Sequence, residues 1–69
     1  MTSDDIVRMA NDISHFFAAY PHDEAVAGVK GHIRDYWDPR MKRALKAHVM
    51  QGSAGLEPLV VEAAASLPE

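Results

Sequence analysis

Apolar residues recur at spacings of three and four along most of the chain, which is the period of an amphipathic helix. In the first segment they form one stripe: Ile6, Met9, Ala10, Ile13, Phe16, Phe17 and Tyr20. Thr2 or Ser3 can cap the start of this segment, and Pro21 ends it because proline pushes the preceding residue out of helical geometry. We therefore predict a first helix over about residues 4–19.

The second segment has the same period but contains two glycines. Its apolar positions predict a helix over about residues 23–37: Val26, Val29, Ile33, Tyr36 and Trp37. Gly28 and Gly31 lie inside this helix, and each costs about 1 kcal/mol relative to alanine. Either another helix or subunit approaches closely on that side, or the helix is simply a weaker one.

A third helix begins at Asp38-Pro39, because the Asp side chain can accept a hydrogen bond from the first turn and proline sits where no N–H is needed. We predict that it runs over about residues 39–50, with these residues inward: Met41, Ala44, Leu45, His48 and Val49. The basic residues should point largely outward: Arg40, Lys42, Arg43 and Lys46. Two glycines between residues 51 and 55 end this helix, and a short fourth helix follows over about residues 58–66.

The fold class that follows from this pattern is all-α. Sustained alternation of apolar and polar residues, which would indicate strands, does not occur in the sequence. Short connections make consecutive helices antiparallel or steeply crossed. We predict a single helical domain over residues 1–69, built as a small bundle of three main helices plus a short C-terminal helix.

Length and composition limit the possible classes of protein. A chain of 69 residues is near the lower size at which one core folds without a metal, a disulfide or a partner. It contains no cysteine, so disulfides, iron–sulfur ligation and thiol nucleophiles are excluded. Its first residues lack a signal-peptide pattern, and no apolar run approaches membrane-spanning length. We expect a soluble, cytoplasmic protein that does not bind a membrane.

Charge is distributed unevenly along the chain, although the net charge is only −3. Residues 1–25 carry five acids and one base, residues 26–50 six bases and two acids, and residues 51–69 three acids and no base. Such a distribution favours either antiparallel neighbours with complementary surfaces or a basic face that meets an acidic partner.

Residue patterns for catalysis or metal binding are weak. The four histidines, His15, His22, His32 and His48, are never three or four residues apart, so no helical turn presents a pair of zinc ligands. We expect His48 to be packed with one hydrogen bond and the other three to face solvent. The paired acids lie where helix starts explain them, and no phosphate-binding loop follows a strand. We predict no catalytic, metal or cofactor site, and no enzyme activity from this chain alone.

The eight residues from Tyr36 to Arg43 combine the only tryptophan, a helix start and the densest positive charge. Arg, Met, Trp and Tyr are enriched in the cores of protein interfaces, which favours a protein partner. Trp37 and Met41 could instead close the core of this chain. A module that dimerises, or that binds nucleic acid through the basic third helix, is the alternative, and nucleic acid is disfavoured by the acidic net charge.

Several stretches of the sequence resemble a known family. They are residues 6–13, Phe16-Phe17, residues 24–29, residues 36–43 and the tail at 55–60, and the most specific of them is the run from Trp37 to Met41. From about residue 6 to residue 64 the chain is similar to the small delta subunit of the NAD-dependent, molybdenum-containing formate dehydrogenase.

The resemblance implies a non-catalytic accessory subunit of a cytoplasmic complex. The large subunit of that complex oxidises formate at a bis-molybdopterin guanine dinucleotide centre, and iron–sulfur clusters and a flavin (FMN) subunit pass electrons to NAD. None of these cofactors is expected in the delta chain. Its implied partners are the other subunits, chiefly the large molybdenum subunit, which it would stabilise or help to assemble, permanently or transiently.

Together, the basic residues and the resemblance suggest a docking surface. We predict that Trp37, Arg40, Met41 and Arg43 form it, with support from Arg8 and Asn11. Arginine suits such a surface because its guanidinium can pair with a partner carboxylate through two parallel hydrogen bonds.

Overall fold

The computed structural model describes residues 2–68, and over this range the chain forms four helices and no strand. The helices are α1 (Ser3–Phe17), α2 (His22–Tyr36), α3 (Pro39–Met50) and α4 (Pro58–Ala65). The predicted all-α architecture, with three main helices and a short C-terminal one, is confirmed. The predicted single domain included Met1 and Glu69, which lie outside the described residues, and it stays a prediction.

The ends of α1 and α3 follow from local hydrogen bonding. At the start of α1, the Thr2 side chain accepts from the Asp5 N–H and the Asp5 carboxylate accepts from the Thr2 N–H, which makes a reciprocal capping box. At the start of α3, the Asp38 carboxylate accepts from the Met41 N–H at 2.9 Å. Both caps were expected from the sequence, although α1 ends at Phe17 rather than near residue 19.

The end of α3 is set by a glycine with a positive φ. Gly52 has φ 118°, and the two N–H groups that follow the helix, those of Gly52 and Ser53, donate to the carbonyls of Val49 and His48. This pair of bonds satisfies carbonyls that would otherwise lack partners at a helix end. The His48 ring nitrogen Nε2 lies 2.7 Å from the Ala54 carbonyl oxygen, so this histidine is fixed by one hydrogen bond, as predicted.

The core is shared by all four helices. Both α2 and α3 pack on α1 and on α4. The buried apolar side chains of the core are Ile6, Ala10, Val29, Ile33, Trp37, Leu45, Val60, Ala63, Ala64 and Leu67. Full burial of a side chain such as Leu45 or Ile33 contributes about 1.5–3 kcal/mol, so α3 is held chiefly through Leu45, its one fully buried side chain.

Four residues that were predicted on the inward apolar stripes are exposed instead: Phe16, Tyr20, Tyr36 and Ala44. Phe16, Tyr36 and Ala44 are each next to a residue that packs in or against the core, namely Phe17, Trp37 or Leu45, and Tyr20 lies beyond the end of α1. Consecutive residues of a helix point about 100° apart, so the narrow core-facing side of the helix takes one residue from each of these pairs. The apolar stripes were therefore predicted one residue too wide.

The two glycines of α2 have different explanations. A Cβ atom added to Gly28 would lie 2.5 Å from Cδ1 and Cε1 of Phe17, so the Phe17 ring lies against the α2 backbone. At Gly31 the nearest atom to such a Cβ is the Arg34 Nη2, at an ordinary 3.8 Å. Close approach of another helix therefore explains Gly28, and Gly31 simply weakens the helix.

Candidate docking surface

The outward side of α3 is a cationic face on an otherwise well-anchored helix. Arg40, Arg43, Ala47 and Met50 recur at spacings of three and four, and all four are exposed, Met50 by 87%. Across residues 2–68, neither arginine lies within ion-pair distance of a carboxylate. We call these four residues the α3 face. It combines exposed guanidinium groups with small and flexible apolar side chains.

A groove of about 350 Å³ runs beside the α3 face, between the starts of α1 and α3. It is lined by Ile6, Asp38, Arg40, Met41 and Ala44. The Asp38 carboxylate already caps α3, and Ile6 and Met41 give the groove an apolar floor. An apolar side chain could enter there while an acidic neighbour meets Arg40.

On the other side of α3 lies a smaller basic cavity of about 90 Å³. Lys42, Arg43 and Lys46 line it together with two prolines, Pro39 and Pro68. Lys42 is partly engaged within the fold, since its Nζ donates to the Arg34 carbonyl oxygen at 2.8 Å. Arg43 therefore lies at the junction between this cavity and the α3 face.

The structure separates the six residues that the sequence assigned to one docking surface. Arg40 and Arg43 are exposed together on α3, and half-buried Met41 lines the adjacent groove while packing on the core. The Trp37 side chain is only 6% exposed. The indole therefore closes the core where α2 turns into α3, which was the alternative explanation for this residue.

Arg8 and Asn11 have other partners. The Arg8 guanidinium pairs with the Asp5 carboxylate of its own helix at 3.2 Å. The Asn11 side chain makes two bonds to the segment before α4, donating to the Gly55 carbonyl at 2.8 Å and accepting from the Glu57 N–H at 2.9 Å. Asn11 thus holds α4 against α1, and within the described chain no hydrogen bond or ion pair connects either residue to the α3 face.

Two histidines were expected only to face solvent, but they join helices. His15 Nε2 lies 3.0 Å from a carboxylate oxygen of Glu57, and His22 Nε2 lies 2.7 Å from one of Glu62. Both side chains remain largely exposed, so these contacts lie at the surface between α4 and its neighbours. Among residues 2–68 no three histidine or acidic side chains gather as a metal site would require.

The two shifted carboxyl pKa values come from local pairing. Hydrogen bonds with Thr2 hold the pKa of Asp5 below its usual value, and the Arg34 guanidinium does the same for the pKa of Asp35. In both cases the partner is at most three residues away on the same helix or its cap. These shifts describe helix-end and surface contacts rather than a buried acid of the kind that serves catalysis.

Exposed aromatic residues are the surface feature that the sequence reasoning missed. Phe16 is 71% exposed and Tyr36 is 76% exposed. The signal that could have found them is the doubling of aromatic residues at Phe16-Phe17 and Tyr36-Trp37, since two large consecutive rings point about 100° apart and do not share one narrow core-facing side. Large aromatic residues exposed in this way are typical of binding surfaces.

Taken together, the fold and these surfaces define a small all-α protein with an exposed cationic helix face. No helix within residues 2–68 is long and apolar enough to cross a membrane. No curated protein and no solved structure matches the chain.

A sequence model of the NADH-dependent formate dehydrogenase delta subunit family, FdsD, does match, over residues 5–64. The chain therefore belongs to this family, which confirms the resemblance seen in the sequence. Membership makes it a subunit of an NAD-linked formate dehydrogenase complex and implies the other subunits as its partners.

Proposed function

We propose that this chain is a non-catalytic accessory subunit that docks through the α3 face onto the large molybdenum subunit of formate dehydrogenase and stabilises that subunit or assists its assembly. The observation that carries this proposal is the pair of exposed arginines, Arg40 and Arg43, which have no carboxylate partner within residues 2–68. The molybdopterin guanine dinucleotide, iron–sulfur clusters, FMN and NAD belong to the other subunits, and this chain supplies no ligand to them.

The chemistry of the α3 face favours an acidic partner surface. A guanidinium group can bind a carboxylate through two parallel hydrogen bonds, and such a pair gains strength when water is excluded around it. Arginines that already pair within the chain, such as Arg34 with Asp35 at 2.9 Å, are less available for this role. The partner surface is therefore expected to present carboxylates spaced to meet Arg40 and Arg43.

Rigidity of α3 supports the same proposal. Its start is capped by Asp38, its end by the Gly52 turn, and its inner side by buried Leu45. A preformed helix loses little conformational freedom when it binds, so more of the contact energy appears as affinity. Trp37 contributes from inside the fold by fixing the angle at which α3 leaves α2.

The groove beside the α3 face extends the proposed docking surface. Met41 and Arg40 line it together, so a partner residue that inserts an apolar side chain there would also bring its neighbours close to the guanidinium. Methionine suits such a position because its flexible thioether adapts to the shape of the inserted group. Met41 therefore joins the four residues of the α3 face as a proposed docking residue.

The test is co-purification of the complex from cells that express all subunits together with a tagged delta chain. In the double variant Arg40→Ala/Arg43→Ala we expect the yield of large subunit per tagged chain to fall at least about tenfold, since losing one partner of a buried charge pair costs about 2 kcal/mol or more. The matched control is Lys30→Ala/Arg34→Ala, which removes the same charge from α2. Equal recovery with both variants, at unchanged helicity by circular dichroism, would contradict the proposal.

A further inference from the structure

A second surface lies between α1 and α2, away from the α3 face. It is a groove of about 380 Å³ lined by Asp12, Ile13, Phe16, Phe17 and His32. Tyr36 extends it along α2, because its ring lies beside that of His32, with centroids 4.9 Å apart and planes tilted by 36°. We call these six residues the aromatic groove. None of them belongs to the docking surface proposed above.

The floor of the aromatic groove is fixed by the contact between Phe17 and Gly28. Because α2 has no side chain at Gly28, the Phe17 ring can lie directly against the α2 backbone. Phe16 then stands beside it edge to face, with ring centroids 5.0 Å apart and planes at 86°. The groove is therefore preformed by packed rings, which lowers the entropy lost when a partner binds.

The rim of the aromatic groove favours a cation. In the described part of the chain no basic side chain pairs with the Asp12 carboxylate, which stands on the α1 side. The Asp35 carboxylate, one helical turn beyond His32, is already paired with Arg34. A partner that covers the exposed Phe16 ring would also bring its own charges to Asp12, and a lysine or arginine fits there by charge complementarity.

We propose that the aromatic groove binds a segment of another subunit of the complex that presents an apolar side chain next to a lysine or arginine. The apolar side chain covers Phe16 and Ile13, and the cation meets Asp12. This inference uses membership of the formate dehydrogenase family but not docking through α3. The α3 face requires an acidic partner, so the two surfaces fit different segments.

A second copy of this chain fits the groove less well. In a symmetric dimer the same surface meets itself, so each partner would bring an Asp12 carboxylate and neither groove would supply a lysine or arginine to pair with it. A stable dimer also needs about 800 Å² from each partner, nearly a fifth of the 4405 Å² surface of this chain. A groove of six residues matches a short inserted segment better than a self-association surface of that size.

The experiment places the photo-crosslinking amino acid p-benzoylphenylalanine at position 16 of the full-length chain, expressed with the other subunits. This residue keeps an aromatic ring where Phe16 stands, and position 16 is 71% exposed, so folding should be preserved. A second chain carries the crosslinker at exposed Ala47 to report separately on the α3 face. Crosslinked peptides are identified by mass spectrometry after irradiation of the purified complex.

We expect position 16 to crosslink to a peptide of another subunit in which an apolar residue adjoins a lysine or arginine. Asp12→Lys should lower that yield at least about fivefold, whereas Asp4→Lys, the same change at an exposed acid outside the groove, should leave it unchanged. Crosslinking only to a second copy of this chain, or no crosslink at position 16 while position 47 reacts, would overturn the inference. Equal yields from both lysine variants would overturn the assignment of the cation.

Discussion

Gly28→Ala tests the packing of α1 on α2 most sharply. The added Cβ would lie 2.5 Å from two ring carbons of Phe17 and 2.9 Å from a third, whereas ordinary contacts begin near 3.4 Å. The ring must therefore retreat by about 1 Å, and crowding of this kind costs about 1–3 kcal/mol. Replacing a helical glycine by alanine stabilises the helix by about 1 kcal/mol, which offsets part of this cost. The net result expected is a loss of about 1 kcal/mol in the free energy of unfolding.

The chain carries its own control at Gly31, in the same helix. There the added Cβ meets only the end of the Arg34 side chain at 3.8 Å, so Gly31→Ala should stabilise by about 1 kcal/mol. The two variants should thus differ by about 2 kcal/mol, or roughly 10 °C in Tm for a chain of this size. Urea unfolding followed by circular dichroism and by the fluorescence of the single buried tryptophan measures this difference.

One result would refute the reasoning. If Gly28→Ala stabilises the protein as much as Gly31→Ala does, the Phe17 ring does not lie against α2, and the floor of the aromatic groove is lost with it. A further variant isolates the cause. In a Phe17→Ala background the ring is gone, so Gly28→Ala should change from destabilising to stabilising by about 1 kcal/mol.

Three further outcomes are expected. Asn11→Ala removes both hydrogen bonds to the segment before α4 and should lower the free energy of unfolding by about 1–3 kcal/mol in urea titrations. Asp38→Ala leaves the start of α3 uncapped and should cost about 1 kcal/mol, read as a lower Tm. The pKa of Asp5 is lowered from 3.8 by its bonds with Thr2, so its ionised form stabilises the fold. The stability advantage of the natural chain over Asp5→Asn should be complete at pH 7 and should shrink as the pH falls below about 4 through the lowered pKa of the folded state; an advantage that does not change with pH would contradict this.

Helix positions could be predicted because their signals are local. Asp38-Pro39 and the Thr2 cap mark helix starts through hydrogen bonds that span only three residues, and the structure contains both. Contacts between residues far apart in the sequence leave no local signal of this kind. Asn11 forms hydrogen bonds with residues more than 40 positions away in the sequence. The periodic pattern of α1 shows it only as one more polar residue of the helix.

The surface was predicted less well than the helices because exposure depends on which of two neighbours takes the core. Periodicity placed Trp37 and Tyr36 on the same stripe, but the indole fills the junction of α2 and α3 and leaves the phenol in water. The arginines of α3 were placed correctly, since a strongly charged side chain seldom enters a small core. Charge thus indicated the exposed face of α3, whereas the doubled aromatic residues showed that a ring would be exposed but not which one.

Direct binding of the full chain to the isolated large molybdenum subunit tests the central claim most directly. Titration calorimetry with the natural chain should give a defined complex, and Arg40→Ala/Arg43→Ala should raise the Kd at least about 30-fold, the equivalent of about 2 kcal/mol. Lys30→Ala/Arg34→Ala should leave the Kd within about twofold. The claim is contradicted if the natural chain does not bind the large subunit, or if the α3 variant binds it as tightly as the natural chain does.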